Sequence, residues 1–215
     1  MSVKIVVDSA SEFSYEEAKA LGLYFCPLSV SFGDTEYRDS IDIDNKTFYE
    51  MLEASKDLPK TSQVGPFAFQ EAFEEIVENG HTALAITLSS KLSGTYSSAR
   101  LAAQSFPGKV FLVDSLSATI GEKILILYAL ELTKTIDDPE EIVKRLEEKR
   151  KKIGICYLLD TLEYLHKGGR LSAAQALAGS ILSLKPLCTL TNGEVEVIAK
   201  ARGAKKGMEK LAEVI

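Results

Sequence analysis

The sequence predicts an α/β protein of two lobes, with a parallel-sheet N-terminal lobe over 1–150, helices on both of its faces, and a smaller α/β C-terminal lobe over 151–215. Three observations carry this. Short continuous apolar runs alternate with stretches of helical periodicity through the first two thirds, the pattern of parallel strands buried on both faces. Two of those runs end alike, V-V-D-S-A-S at 6–11 and L-V-D-S-L-S at 112–117, each placing Asp-Ser at the carboxyl end of a strand. The last third changes character, with an antiparallel hairpin signalled by Asn192-Gly193.

The elements follow in order. Residues 3–7 form a core strand that begins at once, without the charged and long apolar regions of a signal peptide. Ser14 caps a helical pattern over 15–21 that stops at Gly22. Residues 23–32 read as a second strand with a turn at Gly33-Asp34, and Asp44 caps a helix to about residue 54. L-P-K-T-S-Q-V-G-P, at 58–66, reads as a loop punctuated by Pro59 and Pro66. Pro66 suits the first position of the next helix, along which Phe69, Ala72, Phe73, Ile76 and Val77 recur at helical spacing before Asn79-Gly80 ends it.

A strand over 83–88, a hydroxyl-rich loop and a helix over 95–105 come next. Pro107-Gly108 turns the chain into a strand over 109–113, followed by a helix around 120–133. Asp138-Pro139-Glu140-Glu141 starts a charge-dense helix to about residue 152, with a thin apolar stripe of Ile142, Val143 and Leu146. The C-terminal third reads as a strand over 153–158, helices over 161–167 and 173–179, strands over 185–190 and 195–199, and an amphipathic helix over 203–215.

Composition narrows the function classes. With 215 residues, 46% of them hydrophobic and 26% charged, the chain is long enough for a substantial core. A net charge of -6 argues against a general nucleic-acid binder. Cys26, Cys156 and Cys188 are widely spaced among apolar residues and read as buried thiols, neither a disulfide framework nor a metal site. No apolar stretch reaches the length of a membrane span, and the expected location is the cytoplasm. P-loop, dinucleotide-binding and nucleophile-elbow motifs are all missing.

Chemistry concentrates in two hydroxyl loops, Lys60-Thr61-Ser62-Gln63 and Ser89-Ser90-Lys91-Leu92-Ser93-Gly94-Thr95. The second joins a buried strand to a helix, so helix N-terminal N–H groups and several hydroxyls converge where a small anion would sit. Thr61, Ser62, Ser93, Gly94, Thr95 and Ser115 form the candidate ligand-binding set. The competing reading is that Ser93 or Thr95 only caps its helix and Thr61 and Ser62 only stabilise a turn. His81 sits at a helix-to-strand turn; His166 opens His166-Lys167-Gly168-Gly169-Arg170, a helix end where cations and glycine are at home. Arg170, with Lys200, Arg202, Lys205 and Lys206, adds cationic groups suited to phosphate or carboxylate.

In order along nearly the whole chain, the following motifs resemble the DegV family of bacterial fatty-acid-binding proteins: Asp8-Ser9 after the first strand, Pro59-Lys60-Thr61-Ser62-Gln63, Ser89-Ser90-Lys91-Leu92-Ser93-Gly94-Thr95-Tyr96, Val113-Asp114-Ser115, Leu162-Glu163-Tyr164-Leu165 with Lys167-Gly168-Gly169-Arg170, and Lys185-Pro186 with Lys200, Arg202 and Gly203. The resemblance implies a long-chain fatty acid of the palmitate or oleate class in an apolar tunnel between the lobes, its carboxylate hydrogen-bonded near Thr61 and Ser93. It also implies an acyl carrier without catalytic residues, cofactor or metal, which presents the acid to a separate fatty acid kinase, with Arg170 and Arg202 facing that partner. Relatives usually continue past Gly203 with a further strand and helix region and a His or Arg near the carboxylate; this chain stops at Ile215, so its C-terminal lobe is expected to be shortened. Two other readings remain at this stage: a phosphotransferase-like enzyme acting on a small phosphorylated or hydroxylated substrate, and a structural or regulatory interaction module.

Overall fold

Four strands pair in parallel in the computed structural model: β1 (Val3–Asp8), β2 (Tyr24–Cys26), β6 (Thr82–Thr87) and β7 (Val110–Asp114), in the order β2-β1-β6-β7. The structure describes residues 2–171 and 184–214, so the helix expected over 173–179 lies outside the described residues. Backbone contacts divide the chain into two units, Met1–Ile153 and Gly154–Ile215.

Alternation along the central strands sorts side chains onto the two faces of the sheet. Val3, Ile5, Val7, Leu84 and Ile86 pack against α5 (Thr119–Leu132), α6 (Pro139–Arg150), and Ala18 of α1 (Tyr15–Ala20). On the opposite face Val6, Ala83 and Ala85 meet α3 (Pro66–Glu78) and α4 (Thr95–Ala103). The two alanines leave room for the stacked rings of Phe69 and Phe73, whose centroids are 5.9 Å apart, so small and large residues interlock. Helices therefore cover both faces.

Helix starts follow their local chemistry. Ser14 and Glu17 form a capping box on α1, and Asp44 accepts the Thr47 N–H at the head of α2 (Asn45–Ala54). Pro66 and Pro139 stand at the first positions of α3 and α6.

Two segments differ from the sequence expectation. Residues 23–32 are not one strand: β2 stops at Cys26, and β3 (Ser29–Phe32) joins a separate antiparallel sheet with β4 (Thr35–Arg38) and β5 (Lys60–Ser62), in the order β4-β3-β5. Pro27 has no N–H to continue the ladder, while the Leu28 N–H turns to Ser9 Oγ at 3.1 Å. Residues 60–62, expected as loop, pair with β3 in the register Val30↔Thr61. Lys-Thr-Ser has no apolar alternation to announce a strand.

In the second unit, β8 (Cys156–Leu158), β9 (Leu184–Thr191) and β10 (Glu194–Arg202) form an antiparallel sheet in the order β10-β9-β8. Asn192 (φ 51°) and Gly193 (φ 85°) make the hairpin turn with both residues left-handed, as its sequence requires. Short α7 (Glu163–Lys167) precedes the sheet's long hairpin, and α8 (Ala204–Val214) packs close enough that a Cβ on Gly207 would lie 2.6 Å from Leu158 Cδ2. Cys26 and Cys188 are buried; Cys156 is only half-buried.

Candidate functional site

The two Asp-Ser repeats end β1 and β7, the strands on either side of β6, and their carboxylates grip the loop that leaves β6. Asp8 is fully buried; its Oδ1 accepts the Ala10 N–H at 2.9 Å and its Oδ2 the Leu88 N–H at 2.8 Å. Asp114 Oδ1 accepts N–H groups from Ser90 at 3.2 Å and Leu116 at 3.0 Å. The Ser89 N–H donates to the Ser117 carbonyl at 2.7 Å, completing the link between neighbouring loops. The serines of the repeats work locally: Ser9 Oγ takes the Leu28 N–H, and Ser115 Oγ donates to the Ser117 carbonyl while accepting the Ser117 N–H, both at 3.1 Å.

Further along the loop, Gly94 occupies the N-cap of α4, so neither Ser93 nor Thr95 is the cap residue. Ser93 is half-buried; its Oγ accepts the Thr95 N–H at 3.2 Å and lies 2.9 Å from Thr95 Oγ1. Buried Thr95 in turn accepts the Val64 N–H at 3.2 Å. Gln63 Nε2 donates to Ser98 Oγ at 2.8 Å, and a Cβ on Gly94 would meet Gln63 Oε1 at 1.8 Å. The 60–64 arm therefore lies directly on the start of α4. Thr61 and Ser62 are exposed on that arm.

The first unit thus holds Thr61, Ser62, Ser93, Gly94, Thr95 and Ser115, and joins the two hydroxyl loops through Gln63, Val64, Thr95 and Ser98. Thr95 and Ser115 are buried with hydroxyls engaged in the loops themselves, whereas Thr61 and Ser62 face solvent. Arg170 and Arg202 belong to the second unit. Arg170 follows left-handed Gly169 after α7, exposed, its guanidinium donating to the Gly168 carbonyl; Arg202 is exposed at the end of β10.

Electrostatically, buried Asp8 and half-buried Asp114 at the strand ends form an acidic cluster with Glu122. Burial pushes Asp8 up to about 7, against two backbone N–H bonds that pull it down. Glu122, one turn into α5, is fully buried with neither carboxyl oxygen hydrogen-bonded among the described residues. Burial, then the charges of Asp8 and Asp114, raises it well above the usual carboxylate range. The sequence shows the Asp-Ser repeat and places Gln63 in a hydroxyl loop, but it gives no sign of the carboxylates as loop anchors, of Gln63 as the bridge to α4, or of Glu122.

A polar cavity of about 530 Å³ is lined by Ser9, Asp39, Ser40, Asp44, Lys46 and Thr119, among others, and by none of the candidate ligand-binding residues. Among the described residues no group of three or more His, Cys, Asp or Glu could hold a metal ion, and no helix is long and apolar enough to cross a membrane. The candidate loops offer donors: exposed and half-buried hydroxyls and helix-terminal N–H groups, an arrangement that can hold an anionic head group.

A family model described as "Uncharacterised protein, DegV family" matches residues 2–215. A DegV domain-containing protein from Deinococcus radiodurans is 37% identical over 213 residues, covering 99% of this chain and 76% of the relative. Among solved structures, a DegV family protein from Thermus thermophilus described by its fatty acid binding superposes with a TM-score of 0.91 at 36% identity, over 100% of this chain and 76% of that one. DegV from Bacillus subtilis, described as a fatty acid binding protein, gives a TM-score of 0.88 at 34% identity, over 100% and 77%. A stearic-acid-binding protein from Eubacterium ventriosum gives 0.86 at 27% identity, over 99% and 75%.

Proposed function

The chain belongs to the DegV family, and on that premise we propose that it binds a long-chain fatty acid whose carboxylate is held by Thr61 and Ser93. The supporting observation is the junction of Gln63 and Val64 with Thr95 and Ser98, which ties the exposed Thr61 strand to the Ser93 loop. Ser62, Gly94, Thr95 and Ser115 frame that seat. Donors without a positioned base suit a carrier, and burying the acyl chain contributes about 0.8 kcal/mol per CH₂, so the chain supplies most of the affinity and the loops fix orientation.

The same reading makes the protein a presenter: a separate fatty acid kinase phosphorylates the held carboxylate, and Arg170 and Arg202 face that partner. The test begins with mass spectrometry of an organic extract from gently purified protein, which is expected to yield a C16–C18 acid. Thr61→Ala combined with Ser93→Ala is expected to weaken oleate binding by about a hundredfold, since each hydrogen bond to a charged group contributes roughly 1.5 kcal/mol or more. No extracted acid together with no binding of added palmitate or oleate would overturn the reading, and turnover of a phosphorylated substrate without a partner would replace it with an enzyme.

A further inference from the structure

Three carboxyl groups meet beneath the head-group loop, and their surroundings differ. Asp8 has a backbone donor on each oxygen, and Asp114 has two on one oxygen. Among the described residues Glu122 has none, although it is fully buried. Its neighbour Lys123 is turned the other way, donating to the Glu12 carbonyl at 2.9 Å and lying over the Phe13 ring. From the other elements, Asp39 and the buried Cys26 thiol of β2 face Asp8, Tyr96 of α4 faces Asp114, and Arg150 of α6 donates to the Asp114 backbone carbonyl. Where acids crowd together, the proton goes to the one with no donors to stabilise its charge.

We propose that Asp8 and Asp114 are positioning residues for the fatty-acid head-group loop, and that Glu122 beneath them is a neutral buried acid which spares both a third negative charge. The inference rests on the assignment of the 89–96 loop as the carboxylate seat. Asp8 fixes Leu88 and Asp114 fixes Ser90, so the two clamps set where the loop starts on its way to Ser93. Protonating Asp8 removes one clamp. Ionising Glu122 puts a third negative charge against both.

Oleate affinity is therefore expected to trace a bell against pH, with an acid limb from Asp8 near 7 and an alkaline limb from Glu122. Glu122→Gln keeps the shape of the neutral acid, so it is expected to retain the acid limb and lose the alkaline one. Ligand-free melts report the same proton separately. A group that keeps its proton when folded and loses it when unfolded makes the fold less stable as pH rises above the ordinary carboxylate range, so Glu122→Gln is expected to flatten that decline.

The clamps are tested by an asymmetry. Asp114→Ala is expected to weaken binding about tenfold, the size of one lost charge-assisted bond, and Asp114→Asn to recover most of it, because one amide oxygen can accept both N–H groups. Asp8→Asn is expected to lose as much as Asp114→Ala, because its two oxygens each accept one. Identical pH profiles for wild type and Glu122→Gln, in binding and in melts, would overturn the proposal, as would equal behaviour of Asp8→Asn and Asp114→Asn. Ser93→Ala separates the levels: if it binds as wild type, the seat assignment itself has failed, and if it loses binding while the carboxyl variants change nothing, only the positioning role has failed.

Discussion

The two arms of the candidate site are built in opposite ways. The 89–96 loop is held at close intervals: Leu88 by Asp8, Ser89 by the Ser117 carbonyl, Ser90 by Asp114, and Thr95 by Ser93. The 60–64 arm is the edge strand of a small sheet, anchored on α4 through hydrogen bonds of Gln63 and Val64, with Thr61 and Ser62 exposed. One arm uses its hydroxyls to hold itself; the other presents them. A count of serines and threonines therefore overstates the rigid arm's share of a ligand site, because buried Thr95 is already engaged, as is Ser115 on the neighbouring loop after β7.

Breaking the junction between the arms is expected to have the largest effect on stability. Thr95→Val keeps the side-chain shape but leaves the buried Val64 N–H without its acceptor, at a cost of about 2 kcal/mol. Urea unfolding of the first unit's signal should show that loss, with fatty-acid affinity falling alongside. A change within experimental error would mean that the arms do not depend on each other.

Gly94→Ala sharpens the same contrast more gently. The new Cβ would sit 1.8 Å from Gln63 Oε1, the far end of a flexible side chain, so Gln63 swings aside and its 2.8 Å bond to Ser98 breaks. One net hydrogen bond is worth about 1 kcal/mol. The fold should survive, and the loss in affinity should exceed what the stability change alone would cause, because the exposed arm is released while the rigid loop stays pinned.

How much of this was legible in sequence follows the same division. The parallel sheet was readable because β1, β6 and β7 are continuous apolar runs, and Pro66 and Asp138 mark helix starts unaided. The small sheet was not: its strands are three or four residues long, and Lys60–Ser62 is polar throughout, so cross-strand pairing rather than propensity makes it a strand. The Asp-Ser repeat was visible, yet its carboxylates acquire their role only because β6 lies between β1 and β7, a fact of tertiary order. Glu122 left no trace, since a Glu early in a helix reads as a solvated residue favoured by the dipole. Hydroxyl density drew attention to both loops, but the bridge between Gln63 and Ser98, 35 residues apart, needed the fold.

The finest test asks which hydroxyl of the exposed arm is the presented one. Side chains alternate along an extended strand, so Thr61 and Ser62 point to opposite sides of β5. Thr61 pairs with Val30, which is buried, and Ser62 pairs with Ser29. Continued one residue past the strand, the alternation puts Gln63 on the Thr61 side, and Gln63 lies across Gly94. By that alternation Thr61 is expected to share the side that meets the Ser93 loop. Both alanine variants should leave stability within about 0.5 kcal/mol of wild type, as exposed positions do. Thr61→Ala should weaken oleate binding roughly tenfold, the effect of one hydrogen bond to a carboxylate, and Ser62→Ala by less than about twofold. Equal losses from the two would mean that the strand's alternation does not decide which hydroxyl meets the carboxylate, and the contrast between a self-held arm and a presenting arm would then rest on exposure alone.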